Sequence, residues 1–316
     1  MKKILYGAFL FVLAIASVFA FSSCAEPEEE YEITFNFSDG RENLVLSVTE
    51  GELIKNEAPT RSGYVFVGWC TDQKLSNFYD FTKAPTSDMT LYAKWTLNYE
   101  KLVSDISRES ASFNVKVMCS SFKDLSASPD ISQGSGVIYQ KKDGYYYVLT
   151  NNHVADGSDS AFLVERYVYD MYGYEYKATL IKADPAYDLA VLKIKARDSV
   201  SLGVAKIKTE LPSLSDKIVS VTSPQGQINA IEFGEVIAVK PISNDGAQTD
   251  ASNVSFEVLW LTSYSNHGSS GGAVLDTNLN VIGIVYGVAT TGAGTFKYTF
   301  AIPGAKAIEF LNSIEN

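Results

Sequence analysis

The sequence predicts a mostly β protein: a small β module near the N-terminus, followed by a larger body the size of two six-stranded barrels side by side. Three observations carry that prediction. The chain has 316 residues, 46% of them hydrophobic, with 19 tyrosines and 17 phenylalanines, which is ample apolar material for packed cores and typical of pleated sheets. Val, Ile and Thr recur in short runs broken by Gly, Asn, Asp and Ser, the punctuation of strands and turns. Stretches such as Tyr31-Glu32-Ile33-Thr34-Phe35-Asn36-Phe37 and Tyr64-Val65-Phe66-Val67 alternate at period two, as half-buried strands do.

The first 23 residues stand apart from this pattern. Lys2 and Lys3 precede an apolar run from Ile4 to Phe21, which is an export signal rather than part of the fold. Ser22 and Ser23 lead into Cys24, and this segment resembles the lipobox of bacterial lipoproteins. The resemblance implies lipidation at Cys24, cleavage ahead of it, and an extracytoplasmic, membrane-anchored protein at the cell envelope or surface. Several acyl chains hold firmly, since each buried methylene contributes about 0.8 kcal/mol. An uncleaved membrane helix is the alternative, because 18 apolar residues nearly span a bilayer. Without the leader, 24 Lys and Arg face 37 Asp and Glu, a net charge of −13, so nucleic acid is not an expected partner. With Cys24 assigned to lipid, Cys70 and Cys119 are too few for a disulfide framework.

Residues 24–30 include the acidic run Ala25-Glu26-Pro27-Glu28-Glu29-Glu30 and read as a solvated tether. A compact module covers residues 31–96, with Asp39-Gly40 and Arg61-Ser62-Gly63 as turns beside its strands. Ala58-Pro59-Thr60-Arg61-Ser62-Gly63-Tyr64, Gly68-Trp69, Tyr79-Asp80-Phe81 and Met89-Thr90-Leu91-Tyr92-Ala93-Lys94-Trp95-Thr96 resemble the internalin B-repeat, or Listeria-Bacteroides repeat. That resemblance implies a small β-grasp-like fold used in display or adhesion, and hence an envelope or surface ligand for residues 31–96. Trp69 and Trp95 are expected to anchor its core, because so small a module needs large apolar groups. Residues 97–111 place Leu97, Leu102, Val103 and Ile106 at near-helical spacing and predict a short amphipathic linker helix.

Residues 112–316 hold the residues that carry chemistry. Attack by a serine hydroxyl needs an imidazole to take its proton, a carboxylate to orient that imidazole, and backbone N–H groups for the oxyanion. The chain has only two histidines. His153 follows Tyr147-Val148-Leu149-Thr150-Asn151-Asn152, a strand that ends abruptly in polar residues. Asp184 and Asp188 both precede the apolar run Leu189-Ala190-Val191-Leu192; Asp-Pro suits Asp184 to a turn, whereas Asp188 abuts the strand. Ser269 and Ser270 are adjacent candidate nucleophiles in Gly268-Ser269-Ser270-Gly271-Gly272, and glycines there let the backbone turn tightly.

Together, Gly134-Ser135-Gly136-Val137-Ile138, Thr150-Asn151-Asn152-His153-Val154, Asp188-Leu189-Ala190-Val191-Leu192 and Gly268-Ser269-Ser270-Gly271-Gly272 resemble trypsin-like serine proteases of the HtrA (DegP) group. The resemblance spans nearly all of residues 112–316. It implies the chymotrypsin fold, polypeptide substrates, a His153, Asp188, Ser270 triad and an oxyanion hole from the Gly268 and Ser270 N–H groups. Tyr264, six residues before Ser270, aligns with the pocket floor, while Val285, Tyr286 and Gly287 align with the flank of the specificity pocket. An aromatic floor without an acid favours small or aliphatic side chains over Arg or Lys at the cleavage site. His267 departs from the family pattern. Residues 112–316 leave no segment for the PDZ domain that HtrA enzymes usually carry, so the expectation is a member without one.

No metal is expected, since two histidines and no Cys-x-x-Cys offer no ligand set. No phosphate-cradling loop follows a strand, so no cofactor is expected either. Two rival readings remain at this stage: an adhesion lipoprotein on an inactive protease-like scaffold, and a carboxyl-ester hydrolase, whose spelling Gly-x-Ser-x-Gly is also met by Gly268–Gly272. Chain order argues against the ester hydrolase, because no histidine follows Ser270.

Overall fold

The computed structural model describes residues 29–314, apart from residues 56, 57, 125, 127, 243–247, 250, 252 and 253. Cys24 and the leader lie outside the described residues. Two compact units divide the chain, one built on residues up to 58 and 68–94, the other on residues 59–67 and from 95 onward.

The first unit centres on a sheet of β1 (Glu30–Asn36), β2 (Leu44–Thr49), β3 (Tyr64–Cys70) and β4 (Met89–Leu97), in the order β2-β1-β4-β3. Strand β1 is antiparallel to β2 and parallel to β4. Ile33 and Phe35 point inward at the predicted period of two. The Trp69 indole is buried against Phe35, with ring centroids 4.7 Å apart at 72°. In the second unit, Trp95 is only half-buried, its ring 5.4 Å from that of Phe66.

The second unit opens with α1 (Tyr99–Asp105), capped by the Asn98 side chain, which accepts the Lys101 N–H at 2.9 Å. Leu102 and Ile106, four apart on one helix face, are buried, and Val103 is exposed. The helix ends in a π turn at Ile106–Ser110. Asp105 is buried there and accepts Lys101 Nζ at 2.7 Å, Arg108 Nη2 at 2.9 Å, the Gly63 N–H at 2.8 Å and the Ser62 hydroxyl at 2.9 Å. Burial pushes its carboxyl up, but these donors outweigh burial and hold it at about 2.

The first barrel contains β5 (Asn114–Phe122), β6 (Asp130–Lys142), β7 (Tyr145–Thr150), β8 (Leu163–Tyr169), β9 (Glu175–Lys177), β10 (Thr179–Asp184) and β11 (Leu189–Ile194). The one-turn helix α2 (Asn152–Ala155) follows β7. The sheet order is β10-β11-β7-β6-β5-β8-β9. Its two edge strands are joined along the chain by Ala178 alone, so β9 and β10 act as two halves of one strand that turns the corner. Counted that way the curl has six strands, closed by the backbone rather than by a ladder.

The second barrel contains β12 (Lys217–Thr222), β13 (Ala230–Lys240), β15 (Val258–Leu261), β16 (Ala273–Asp276), β17 (Val281–Thr290) and β18 (Phe296–Pro303), with β14 (Gln248–Thr249) added outside β17. Here β17 pairs with both β16 and β18, closing a ring of six by hydrogen bonds. A 3₁₀ turn at Pro224–Gly226 follows β12, and α3 (Gly304–Asn312) follows β18. One buried cluster runs through both barrels, taking Val117, Val137, Leu149 and Leu189 from the first and Val219, Val221, Ala273 and Ile284 from the second. The architecture is the mostly β double barrel that the sequence predicts, of the chymotrypsin type. Cys70 and Cys119 are buried free thiols.

Candidate active site

The site is assembled where β7 and β11 end. These strands are antiparallel neighbours, with Thr150 opposite Ala190, so the residues just beyond Thr150 and just before Leu189 must meet. His153 sits in α2, and its ring Nδ1 lies 2.8 Å from Asp188 Oδ2. The His153 backbone N–H donates to the other carboxylate oxygen at 3.0 Å. The Asn151 side-chain amide donates to the Asp188 carbonyl at 2.9 Å and fixes that backbone. Asp188 adopts φ +50°, a left-handed conformation uncommon for a residue with a side chain, and its side chain is 2% exposed. Strain and burial of this kind gather at functional sites. The imidazole is 39% exposed, and its Nε2 is without a partner among the described residues. Asp184 instead closes the preceding turn, accepting the Ala186 N–H at 2.9 Å.

Ser270 lies on the tight turn between β15 and β16 and faces the same cleft as His153. Each peptide of that turn is fixed by one of its ends. The His267 carbonyl accepts the Gln225 N–H at 2.8 Å, the Ser269 N–H donates to Asn266 at 2.9 Å, and the Ser269 carbonyl accepts the Gly272 N–H at 3.0 Å. The Gly271 N–H donates to Val285 and the Ser270 carbonyl accepts the Ser135 N–H, both at 2.7 Å. Within residues 266–272, two N–H groups are left without an acceptor among the described residues, those of Gly268 and Ser270. Because the C=O and N–H of a trans peptide point opposite ways, tying the His267 carbonyl to Gln225 turns the Gly268 N–H away from that contact. Glycine is required at two of these positions: Gly268 has φ +94° and Gly271 φ +89°, and a Cβ on Gly271 would sit 2.0 Å from the Ser135 carbonyl oxygen.

Comparison with known proteins agrees with this geometry. Residues 134–284 match the trypsin-like peptidase domain family, and residues 31–94 match the Listeria-Bacteroides repeat domain. The chain is 29% identical to the serine protease Do-like HtrA of Bacillus subtilis over 174 residues, covering 55% of this chain and 37% of that one. It is 33% identical to a probable periplasmic serine endoprotease DegP-like of Brucella suis over 184 residues, covering 58% and 33%. An alanine variant of the HtrA-type protease AlgW with a tripeptide superposes with a TM-score of 0.53 at 27% identity, covering 67% of this chain and 63% of that one. The chain carries an HtrA-type, trypsin-like peptidase domain. It spans about a third to a half of the length of the curated relatives it matches.

The remaining predicted residues divide. Val285, Tyr286 and Gly287 line the cleft of this HtrA-type domain, together with His267, Gln225 and Ile131. Tyr264 is absent from that lining; it is 48% exposed and its ring packs 5.1 Å from Phe296. The Tyr286 phenol is buried, and its hydroxyl has no hydrogen-bond partner among the described residues. Burial, with a smaller contribution from the Asp188 carboxylate, pushes this phenol far above its ordinary value. Sequence reasoning missed Asn151, Gln225 and Asn266, whose contributions run through single backbone or amide bonds. The Ser223-Pro224-Gln225-Gly226 turn was the available signal for Gln225, which takes φ +50°. Among the described residues no cluster of three His, Cys, Asp or Glu side chains could hold a metal.

Proposed function

We propose that residues 112–316 form a serine endopeptidase acting on polypeptides, with His153, Asp188 and Ser270 as its triad. The observation that carries this reading is one cleft holding a carboxylate-paired imidazole and, without partners among the described residues, a serine hydroxyl and two N–H groups on the serine's own turn. In the first step the Ser270 oxygen attacks the peptide carbonyl carbon while its proton passes to His153 Nε2. Asp188 holds Nδ1 as the donor and stabilises the imidazolium. The oxyanion receives the Gly268 and Ser270 N–H groups, each worth about 3 kcal/mol in the transition state. His153 then gives its proton to the departing amine, leaving an acyl-enzyme. Water repeats the sequence: it loses a proton to His153, attacks the acyl carbon, and Ser270 leaves with the proton returned.

Ser270 Oγ makes no hydrogen bond among the described residues, which suits a hydroxyl that closes on the imidazole when substrate enters. Among the described residues the cleft lining contains no Lys, Arg, Asp or Glu, and Val285, Val288 and Ile131 favour small or aliphatic side chains at the scissile bond. Val285, Tyr286 and Gly287 support this more than Tyr264 does. The peptide ligands in the AlgW structures and the serine-protease names of the relatives favour polypeptide substrates. The periplasmic description of the DegP-like relatives and the lipobox-like leader favour an envelope protein held by lipid on Cys24. In that arrangement residues 24–30 serve as tether, 31–96 as the module for a surface ligand, and 97–111 as the linker.

Unfolded casein and a library of quenched fluorogenic peptides test the endopeptidase. The expected result is cleavage by the mature wild type and none by Ser270→Ala. Cleavage that survives Ser270→Ala, or a folded wild type inert toward every peptide, overturns it. Metabolic labelling with palmitate that persists in Cys24→Ala would contradict the anchor.

A further inference from the structure

We infer that Ser135, on the first barrel, is a positioning residue for the oxyanion hole on the second. This rests on the serine-endopeptidase reading and goes beyond it. Ser135 lies in β6 and is fully buried. Its hydroxyl donates to the Gly268 carbonyl at 2.8 Å and accepts the Ser223 N–H at 2.7 Å. Its own N–H donates to the Ser270 carbonyl at 2.7 Å, and its carbonyl accepts the Thr150 hydroxyl at 2.7 Å. All four hydrogen-bonding groups of this residue are therefore committed, and two of them hold the nucleophile turn.

The position of the hydroxyl bond gives it leverage. The hole donors belong to the 267–268 and 269–270 peptides, and the 268–269 peptide joins them. That joining peptide is held at its nitrogen by Asn266 and at its oxygen by the Ser135 hydroxyl. Its orientation sets the angle between the two donors, so the hydroxyl fixes their convergence. The same oxygen ties in Ser223, at the start of the turn whose Gln225 N–H pins the His267 carbonyl. The flanking glycines allow this approach: a Cβ on Gly134 would lie 2.7 Å from the Ser270 carbonyl oxygen. Removing the hydroxyl leaves the buried Gly268 carbonyl and Ser223 N–H without partners, and such groups are satisfied by local rearrangement.

The test compares full-length mature wild type with Ser135→Ala, per site titrated to completion with a fluorophosphonate. The expected result is a kcat lower by about 10- to 100-fold, less than or equal to the loss of one whole donor, with KM within about two-fold. The pH midpoint of kcat/KM is unchanged, because the His153–Asp188 pair is untouched; a general loosening of the fold moves it. A folded Ser135→Ala variant with kcat within two-fold of wild type overturns the inference. If wild type itself cleaves nothing, the endopeptidase reading fails, and crystal structures decide the positioning claim separately. A Gly268–Ser270 turn that is displaced in Ser135→Ala supports it, and a superposable turn overturns it.

Discussion

Asp188→Asn is the perturbation whose consequence follows most directly from the geometry. The carboxylate accepts two N–H groups of the same residue, the His153 backbone N–H at 3.0 Å and ring Nδ1 at 2.8 Å. An asparagine offers one acceptor and one donor. If its oxygen keeps the backbone N–H, its NH₂ faces Nδ1 and forces the ring proton onto Nε2, where it cannot accept from Ser270. If it flips, two donors confront each other at the backbone, costing about 1–3 kcal/mol, and the imidazolium still loses its counter-charge. Loss of tautomer and charge together costs about 10⁴-fold in kcat for a Ser-His-Asp triad, or about 5.4 kcal/mol at about 1.36 kcal/mol per decade. KM should hardly move, since Asp188 is buried away from the cleft lining. The assay is steady-state hydrolysis of a quenched peptide by folded Asp188→Asn, with Asp184→Asn as control. The Asp184 carboxylate accepts a turn N–H and has no bond to His153 among the described residues, so the control should keep kcat. Asp188 is not the orienting acid if Asp188→Asn retains more than about a tenth of wild-type kcat, or if Asp184→Asn is the crippled variant.

Three further outcomes follow from the structure. Gly271→Ala, with its Cβ 2.0 Å from the Ser135 oxygen at φ +89°, should lose about 3 kcal/mol or more; Gly292→Ala, with nothing within 4 Å, should stay within about 0.5 kcal/mol, both read by urea denaturation. The Asp105 carboxyl, held at about 2 against an ordinary 3.8, should contribute about 2 kcal/mol above pH ~4. Because the folded state binds that proton less readily, the contribution is lost as pH falls from about 4 through about 2, and acid titration of Asp105→Asn should lack that component. Tyr286→Phe removes a buried hydroxyl that has no partner among the described residues and should leave stability equal or raise it by up to about 1 kcal/mol, measured as Tm; a clear fall contradicts the orphaned hydroxyl.

The residues proposed as the triad could be picked out in the sequence because chemistry left few choices. Two histidines, an acid abutting a strand and a serine between glycines occur in an order that one fold explains, and antiparallel pairing of β7 with β11 then brings His153 to Asp188. The alternation around Ile33 and Phe35 and the spacing of Leu102 and Ile106 were legible for the same reason, since burial has a period. What the sequence did not convey depends on contacts across long separations. The Gly134-Ser135-Gly136 spelling was visible, but the bond from Ser135 to Gly268 spans 133 residues and leaves no local pattern. Tyr264 was placed by counting back from Ser270, and counting does not reveal that its ring finds Phe296 instead of the cleft. The corner at Ala178, where one strand serves both edges of a sheet, is likewise a property of closure rather than of local propensity.

If Ser270 is the nucleophile, its hydroxyl is activated and faces a prepared oxyanion site. Labelling the native mature chain with a fluorophosphonate and locating the adduct by peptide mass spectrometry tests it most directly. A single adduct on Ser270 is expected, abolished by Ser270→Ala and by prior denaturation, and strongly slowed by His153→Ala. An adduct on Ser269, or a folded chain that never reacts, contradicts it.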